Sequence, residues 1–356
     1  MKEIVRPTGW KPGLRFIMPN SNPQFRGLLN SVGDSDPSTF GYEYVVKTTS
    51  YLRTQVVKQK FYEVAPADFM SVIVGEGAYL NQIVQKIEYT AGGNFETGCI
   101  NIGANSAQVP IAQIALNNKT YPIVPWNYGY DYTTYELENA LAANNWDIVE
   151  GKTKAVKKIW DLGIQKIAFL GSKTLQGVYG IYNLPDPTVD TTTLTKSLSS
   201  MNPAEFQTFV GSMLGLFYAN ANSAMLPDTL IIPALDMLGL TNSPSPLAPF
   251  NSKLDYMQRA FEAAIVAMGG SGKFIIRATS YGDQARNAGV WATNGTNRYI
   301  LYKNDPEVVR LDIPQDFMLM SPGTIDQLKW KGGAQGQFTG VQNYIPRGVY
   351  YFDWAA

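Results

Sequence analysis

Residues 146–171 read WDIVEGKTKAVKKIWDLGIQKIAFLG, the most clearly periodic stretch of the chain. At 100° per residue Ile148, Val149, Ala155, Val156, Ile159, Trp160 and Leu162 fall within one broad apolar stripe. Asp147, Glu150, Lys154, Lys157, Lys158 and Asp161 collect on the opposite side. The spacing predicts a long amphipathic helix near residues 146–169, closed by Gly171 as its C-cap. Glu150 precedes Lys154 by four residues, and Lys157 precedes Asp161 at the same distance. Each such pair adds only ~0.2–0.5 kcal/mol to an exposed helix. The lysines are therefore half of a mixed-sign solvated face, not a nucleic-acid patch.

Working towards the N-terminus, Tyr121–Tyr130 reads as an aromatic strand leading into a short helix through Ala143, with Thr133, Thr134 and Glu136 as capping residues. Before it, Gly92-Gly93-Asn94, Gly98, Gly103 and Asn117-Asn118 punctuate short alternating runs. Alternation bounded by Gly and Asn predicts a hairpin. A hairpin with Ile and Val on one face exposes apolar edges in a monomer, so another subunit is expected to cover it. Its candidate interface residues are Phe95, Ile100, Ile102, Val109, Ile111 and Ile114. Residues 1–48 show no sustained period, and Pro7, Pro12, Pro19 and Pro23 break any helix. With Trp10, Phe16 and Phe25 as spaced apolar anchors, the segment reads as an extended arm laid on another surface, or as a disordered leader.

Working towards the C-terminus, Pro185-Asp186-Pro187 and the Thr/Ser-rich run to Ser200 read as a crossing loop, followed by a mixed α/β region. Asn202-Pro203-Ala204-Glu205 combines an N-cap, a proline at the first helical position and a glutamate at the third. Thr229–Ile232 is a buried-strand candidate, and 253–268 a second helix. Strands are expected at 274–277, 299–303, 308–313, 338–341 and 349–354.

Composition removes most ordinary chemistry. Among 356 residues there is no histidine and one cysteine, Cys99, so nucleophile–histidine pairs, histidine bases and nearly all transition-metal sites are excluded. A disulfide-stapled secreted fold is excluded for the same reason. Charged residues make up 16%, below the usual ~25%, which suggests a surface partly covered by partners. With 29 basic against 29 acidic residues, tight binding to nucleic acid by phosphate neutralisation is not expected. The first residues lack a signal-peptide core and no stretch reaches ~20 apolar residues, so a cytoplasmic origin without a membrane span is expected.

No motif points to catalysis. Gly269-Gly270-Ser271-Gly272-Lys273 lacks the earlier glycine and the Ser/Thr of a phosphate loop and follows a helix, so it reads as a helix-end turn. Glu136, Glu138, Asp312, Asp316 and Asp353 form no recognisable acid–base pair, and no calcium-loop pattern occurs. No cofactor is expected.

The order of features, together with local motifs, resembles the major capsid proteins of tailed bacteriophages, whose fold is shared with encapsulin shells. The motifs are Leu170-Gly171 followed by Leu175–Asn183 (LQGVYGIYN), Lys303–Leu311 (KNDPEVVRL), Gln337–Gln342 (QFTGVQ) and Arg347–Phe352 (RGVYYF). The resemblance implies an α+β fold with an N-terminal arm at 1–48 and an extended β-hairpin loop at 85–124. A peripheral domain with the long spine helix would take 49–84 and 125–199. An α/β axial domain would take 200–322, and return strands of the peripheral domain 323–356. It implies a structural subunit, not an enzyme, that self-assembles into pentamers and hexamers of an icosahedral head around double-stranded DNA. Implied partners are other copies, scaffolding, portal and decoration proteins, and weakly held DNA, in a virion assembled in the bacterial cytoplasm. Some relatives begin with a cleaved scaffolding segment; none is read before the arm here, so scaffolding is expected to be either a separate protein or already cleaved. An encapsulin-like nanocompartment shell stays open as an alternative. A carbohydrate-binding or carbohydrate-active protein is the alternative from another class, given 21 Tyr and 7 Trp.

Overall fold

The computed structural model describes residues 60–91, 112–144, 148–241, 252–270, 272–287, 296–326 and 328–354. The arm expected at 1–48 lies outside them. The chain divides into two units, Met1–Phe61 with Thr134–Ile148, and Tyr62–Thr133 with Val149–Ala356. In the first, helix α1 (Thr134–Asn144) begins where the threonine caps were expected. Everything below concerns the second unit, apart from Ile148.

Strand β1 covers Ser71–Val74, β2 Gln82–Ala91 and β3 Gln113–Thr133; helix α2 covers Ile148–Leu170. The buried side of α2 is narrower than its sequence stripe: Val156, Trp160, Ile164, Ala168 and Phe169 are buried, whereas Ile159 is exposed. Burial follows steps of four residues, so Ile159 and Ala155 turn away with the charged face. On that face Lys154 pairs with Glu150, and Lys158 with Glu63.

Gly171 ends α2 at φ +69°. Its amide donates to the Ile167 carbonyl at 2.9 Å, and the chain then doubles back on the last turn. Ile181 and Tyr182 amides donate to the Ala168 and Phe169 carbonyls at 2.9 and 3.0 Å. A Cβ on Gly180 would lie 2.4 Å from the Phe169 carbonyl oxygen, so this return admits only glycine. The Gly171…Gly180-Ile181-Tyr182-Asn183 passage is thus a backbone-against-backbone corner.

The remaining strands are β4 (Thr188–Asp190), β5 (Thr229–Pro233), β6 (Ile275–Thr279), β7 (Asn297–Tyr302), β8 (Val309–Ile313), β9 (Gln315–Leu319), β10 (Gly323–Asp326), β11 (Lys329–Thr339), β12 (Val341–Asn343) and β13 (Val349–Trp354). Helices α3 (Pro203–Asn220), α4 (Ala234–Leu240) and α5 (Lys253–Ala267) stand among them. A mixed sheet runs β4-β13-β7-β5-β6. Strand β5, Thr-Leu-Ile-Ile-Pro, is buried along its length because both of its faces are covered. Leu230 and Ile232 pack with Phe209, Met213, Phe217, Phe261 and Ile265 of α3 and α5. Ile231 on the other face joins Ile300, Tyr302 and Tyr351 in a core shared with Phe169 of α2. Helix α3 starts with the expected capping box: Asn202 accepts from the Glu205 amide, and Glu205 accepts from the Asn202 amide.

The pairing divides the segments differently from the expected domain ranges. Strands β8 and β9, expected with 200–322, hydrogen-bond to β1 and β12 and to β11 respectively. Strand β13, expected among the return strands, lies between β4 and β7 in the mixed sheet. A buried ion pair fixes it there: Arg298 Nε and Nη2 donate to the Asp353 carboxylate at 2.6 Å each, and Nη1 donates to the Tyr182 carbonyl at 2.6 Å.

Candidate assembly surface

Strand β3 has 21 residues and changes partner midway. Residues 113–122 pair antiparallel with β2, and 123–133 pair antiparallel with β11. Strands β9 and β10 share the other edge of β11. The β2–β3 portion is therefore a two-stranded ribbon whose outer edges pair with no strand among the described residues. An isolated two-stranded hairpin is marginal in water, so this ribbon calls for a neighbour.

Register places Ile114 opposite Thr90 and Leu116 opposite Glu88, with Val84 opposite Thr120 on the same face. Ile114 is 67% exposed, Leu116 65% and Val84 46%. Tyr89, on the reverse face, is 51% exposed. Of the candidate interface residues, only Ile114 is described, and it stands exposed on the ribbon. Trp10, Phe16, Phe25, Phe95, Ile100, Ile102, Val109 and Ile111 lie outside the described residues. Val84, Tyr89 and Leu116 were not singled out from sequence as interface residues. Leu235 and Leu238 of α4, and Met318, Leu319 and Met320 along the β9 edge, are also exposed. Neither group shows in sequence, since a short apolar helix and a buried one look alike.

The root of the ribbon is polar and aromatic. Lys119 pairs with Asp186, and its Nζ donates to the Asn343 carbonyl at 2.9 Å. The Tyr121 hydroxyl donates to the same carbonyl at 2.8 Å, and the Tyr121 ring meets Tyr344 edge to face at 5.8 Å. Burial holds the Tyr121 hydroxyl well above its ordinary pKa and pushes Tyr344 up to about 12. Behind them Arg310 and Gln342 donate to Asp312 Oδ2 at 3.2 and 2.7 Å. Burial still raises the Asp312 carboxyl above the usual range, outweighing the attraction of Arg310.

A groove of about 450 Å³ runs along α2, lined chiefly by Trp126, Trp160, Ile164, Ile167 and Phe338, with Lys166 and Lys173 as its charged groups. It has no acid–base pair, and its lining is that of an apolar contact surface. Among the described residues no group of three His, Cys, Asp or Glu side chains could hold a metal ion, and no helix is long and apolar enough to cross a membrane.

Several solved structures share this fold. The capsid of Myoviridae phage XM1 matches with a TM-score of 0.69 at 12% identity, covering 86% of this chain and 97% of that one. A capsid of the native GTA particle matches at 0.55 and 10%, covering 90% and 99%. A structure from Mycobacterium phage Ogopogo matches at 0.54 and 11%, covering 88% and 98%. At such identities the likeness establishes the fold alone. No curated protein sequence matches the chain. The family model described as major capsid protein matches residues 100–354. With a match over well more than half of its length, and the same fold in phage capsids, the chain belongs to the major capsid protein family.

Proposed function

We propose that the chain is a structural shell subunit that self-assembles into pentamers and hexamers of an icosahedral head enclosing double-stranded DNA. The observation that carries this reading is the freestanding β2–β3 ribbon. It places Val84, Ile114 and Leu116 in water on a hairpin too thin to need them for its own subunit. A head-to-tail contact that closes generates rings, and ribbons reaching between copies join many modest interfaces into one particle. Balanced charge limits repulsion among copies and makes contact with DNA weak and non-specific. The role is non-enzymatic and its cellular product is the virion, assembled in the bacterial cytoplasm. Scaffolding, portal and decoration proteins are the further partners of such a shell.

The aromatic residues argue against a sugar-binding reading. Tyr182, Tyr299, Tyr302 and Tyr351 are fully buried, and Trp160 is in the core. The test is size-exclusion chromatography with electron microscopy of the recombinant chain, with and without its neighbouring genes. Rings or closed particles that take up DNA are expected. A persistent monomer would overturn the shell reading, and particles holding protein cargo instead of DNA would replace the head by a nanocompartment.

A further inference from the structure

We infer that Lys119 is a positioning residue, a latch that fixes the angle at which the β2–β3 ribbon leaves the sheet. Both strands of the ribbon pass through a joint at the same level. On one side β3 exchanges partners between Pro122, paired with Gln82, and Ile123, paired with Thr339. The ribbon ladder ends where the sheet ladder begins, so among the described residues no strand beside β3 splints the junction. On the other side β2 is entered through residues 75–81, which contain Gly75 at φ +93°, Gly77 at φ +82° and Tyr79 at φ +65°. The Gly75 amide donates to the Ile313 carbonyl at 3.0 Å and the Tyr79 amide to Gln337 Oε1 at 2.8 Å, so the left-handed glycines can absorb rotation only between and beyond these two anchors.

Four links close the joint. The Ile123 amide donates to the Asn81 carbonyl at 3.0 Å, directly on the pivot. Tyr121 and Lys119 both donate to the Asn343 carbonyl, at 2.8 and 2.9 Å. Lys119 stands two residues farther out than Tyr121, where its lever arm about the pivot is longer. It also reaches Asp186 in the loop before β4, a second body of the fold. One ammonium thus ties the ribbon to both β12 and the 183–187 loop. The pair is about one-third exposed on each side, so salt reaches it. Tyr121 lacks this sensitivity, because its hydroxyl is buried and neutral. The consequence for assembly rests on the shell reading, since the ribbon angle sets which neighbour it reaches; the latch itself does not.

The test is a distance measurement on the unassembled full chain. Spin labels on Thr90→Cys and Lys173→Cys, in a Cys99→Ser background, report the span from ribbon to body by pulsed electron resonance. One narrow distance peak is expected, lost in Lys119→Met and in Asp186→Asn and retained in Lys119→Arg. The double variant Lys119→Met with Asp186→Asn is expected to resemble Lys119→Met alone, because the methionine already removes the Asp186 link along with the one to Asn343. Melting curves report whether each variant folds, and Asp186→Asn carries the test if Lys119→Met does not. A peak unchanged in both single variants, or lost equally in Lys119→Arg, overturns the latch. Whether shells form does not enter this readout, so its failure and the failure of the shell reading are distinguishable.

Discussion

A methyl group added at Gly180 would stand 2.4 Å from the Phe169 carbonyl oxygen and 2.5 Å from the Gly171 amide nitrogen, both backbone atoms that cannot rotate away. Gly180→Ala is therefore expected to lower stability by about 2–3 kcal/mol in denaturant melting, as overpacking does. Arg298→Met should be at least as damaging, about 3–5 kcal/mol, because it leaves Asp353 buried without its bidentate partner. At Asp312 the sign of the pH effect follows from burial. Its raised pKa means the folded chain holds a proton that the unfolded chain has already lost. Stability should thus rise as pH falls through that raised pKa towards about 3.9, the unfolded value, and gain nothing further from this group below it. Asp312→Asn should flatten the slope over that interval, measured as melting against pH; identical slopes would contradict the assignment. At this scale sequence was a partial guide. Gly171 and Gly180 stood out beside a helix end, whereas Arg298 and Asp353 are joined by a strand register that no local pattern encodes.

Elements were more legible than residues. The period of 146–171 gave α2 to within two residues at its start, and Asn202-Pro203-Ala204-Glu205 gave the start of α3. Asn202→Ala should lower stability by about 1 kcal/mol, seen as a shifted melting midpoint. Most of the hairpin expected between Thr90 and Lys119 lies outside the described residues, and neither the length of β3 nor its change of partner was legible. Two prolines obscured both. Pro122 stands at the switch itself, and Pro125 stands in the half of β3 that pairs only with β11 among the described residues, where a missing amide can face the open edge. The ribbon surface also supplies a separation of folding from assembly. Ile114→Ser with Leu116→Ser should leave subunit melting within about 0.5 kcal/mol, since both side chains are exposed. The same variant should form fewer closed particles, counted by electron microscopy; normal particle yield would remove this face from the interface.

At the scale of the whole molecule, the sequence order of hairpin, aromatic strand, long helix, glycine corner and mixed α/β layer anticipated the capsid fold found in phage shells. What it did not anticipate is how the C-terminal strands are shared out. β11 joins the ribbon sheet, β12 pairs with β8, and β13 enters the mixed sheet between β4 and β7. Such long-range pairing depends on which edge is open when the strand arrives, and β13 reads like any other short apolar strand. On the proposed shell reading, the ribbon is the element on which a shell from this subunit depends. The most direct measurement replaces residues 86–118 with a short Gly-Ser turn, keeping the Gln85–Lys119 rung, and follows melting and particle formation together. We expect cooperative melting like that of the intact chain and no closed shells. Shells that close without the ribbon, or a chain that no longer melts cooperatively, would contradict its role as the element that joins one subunit to the next.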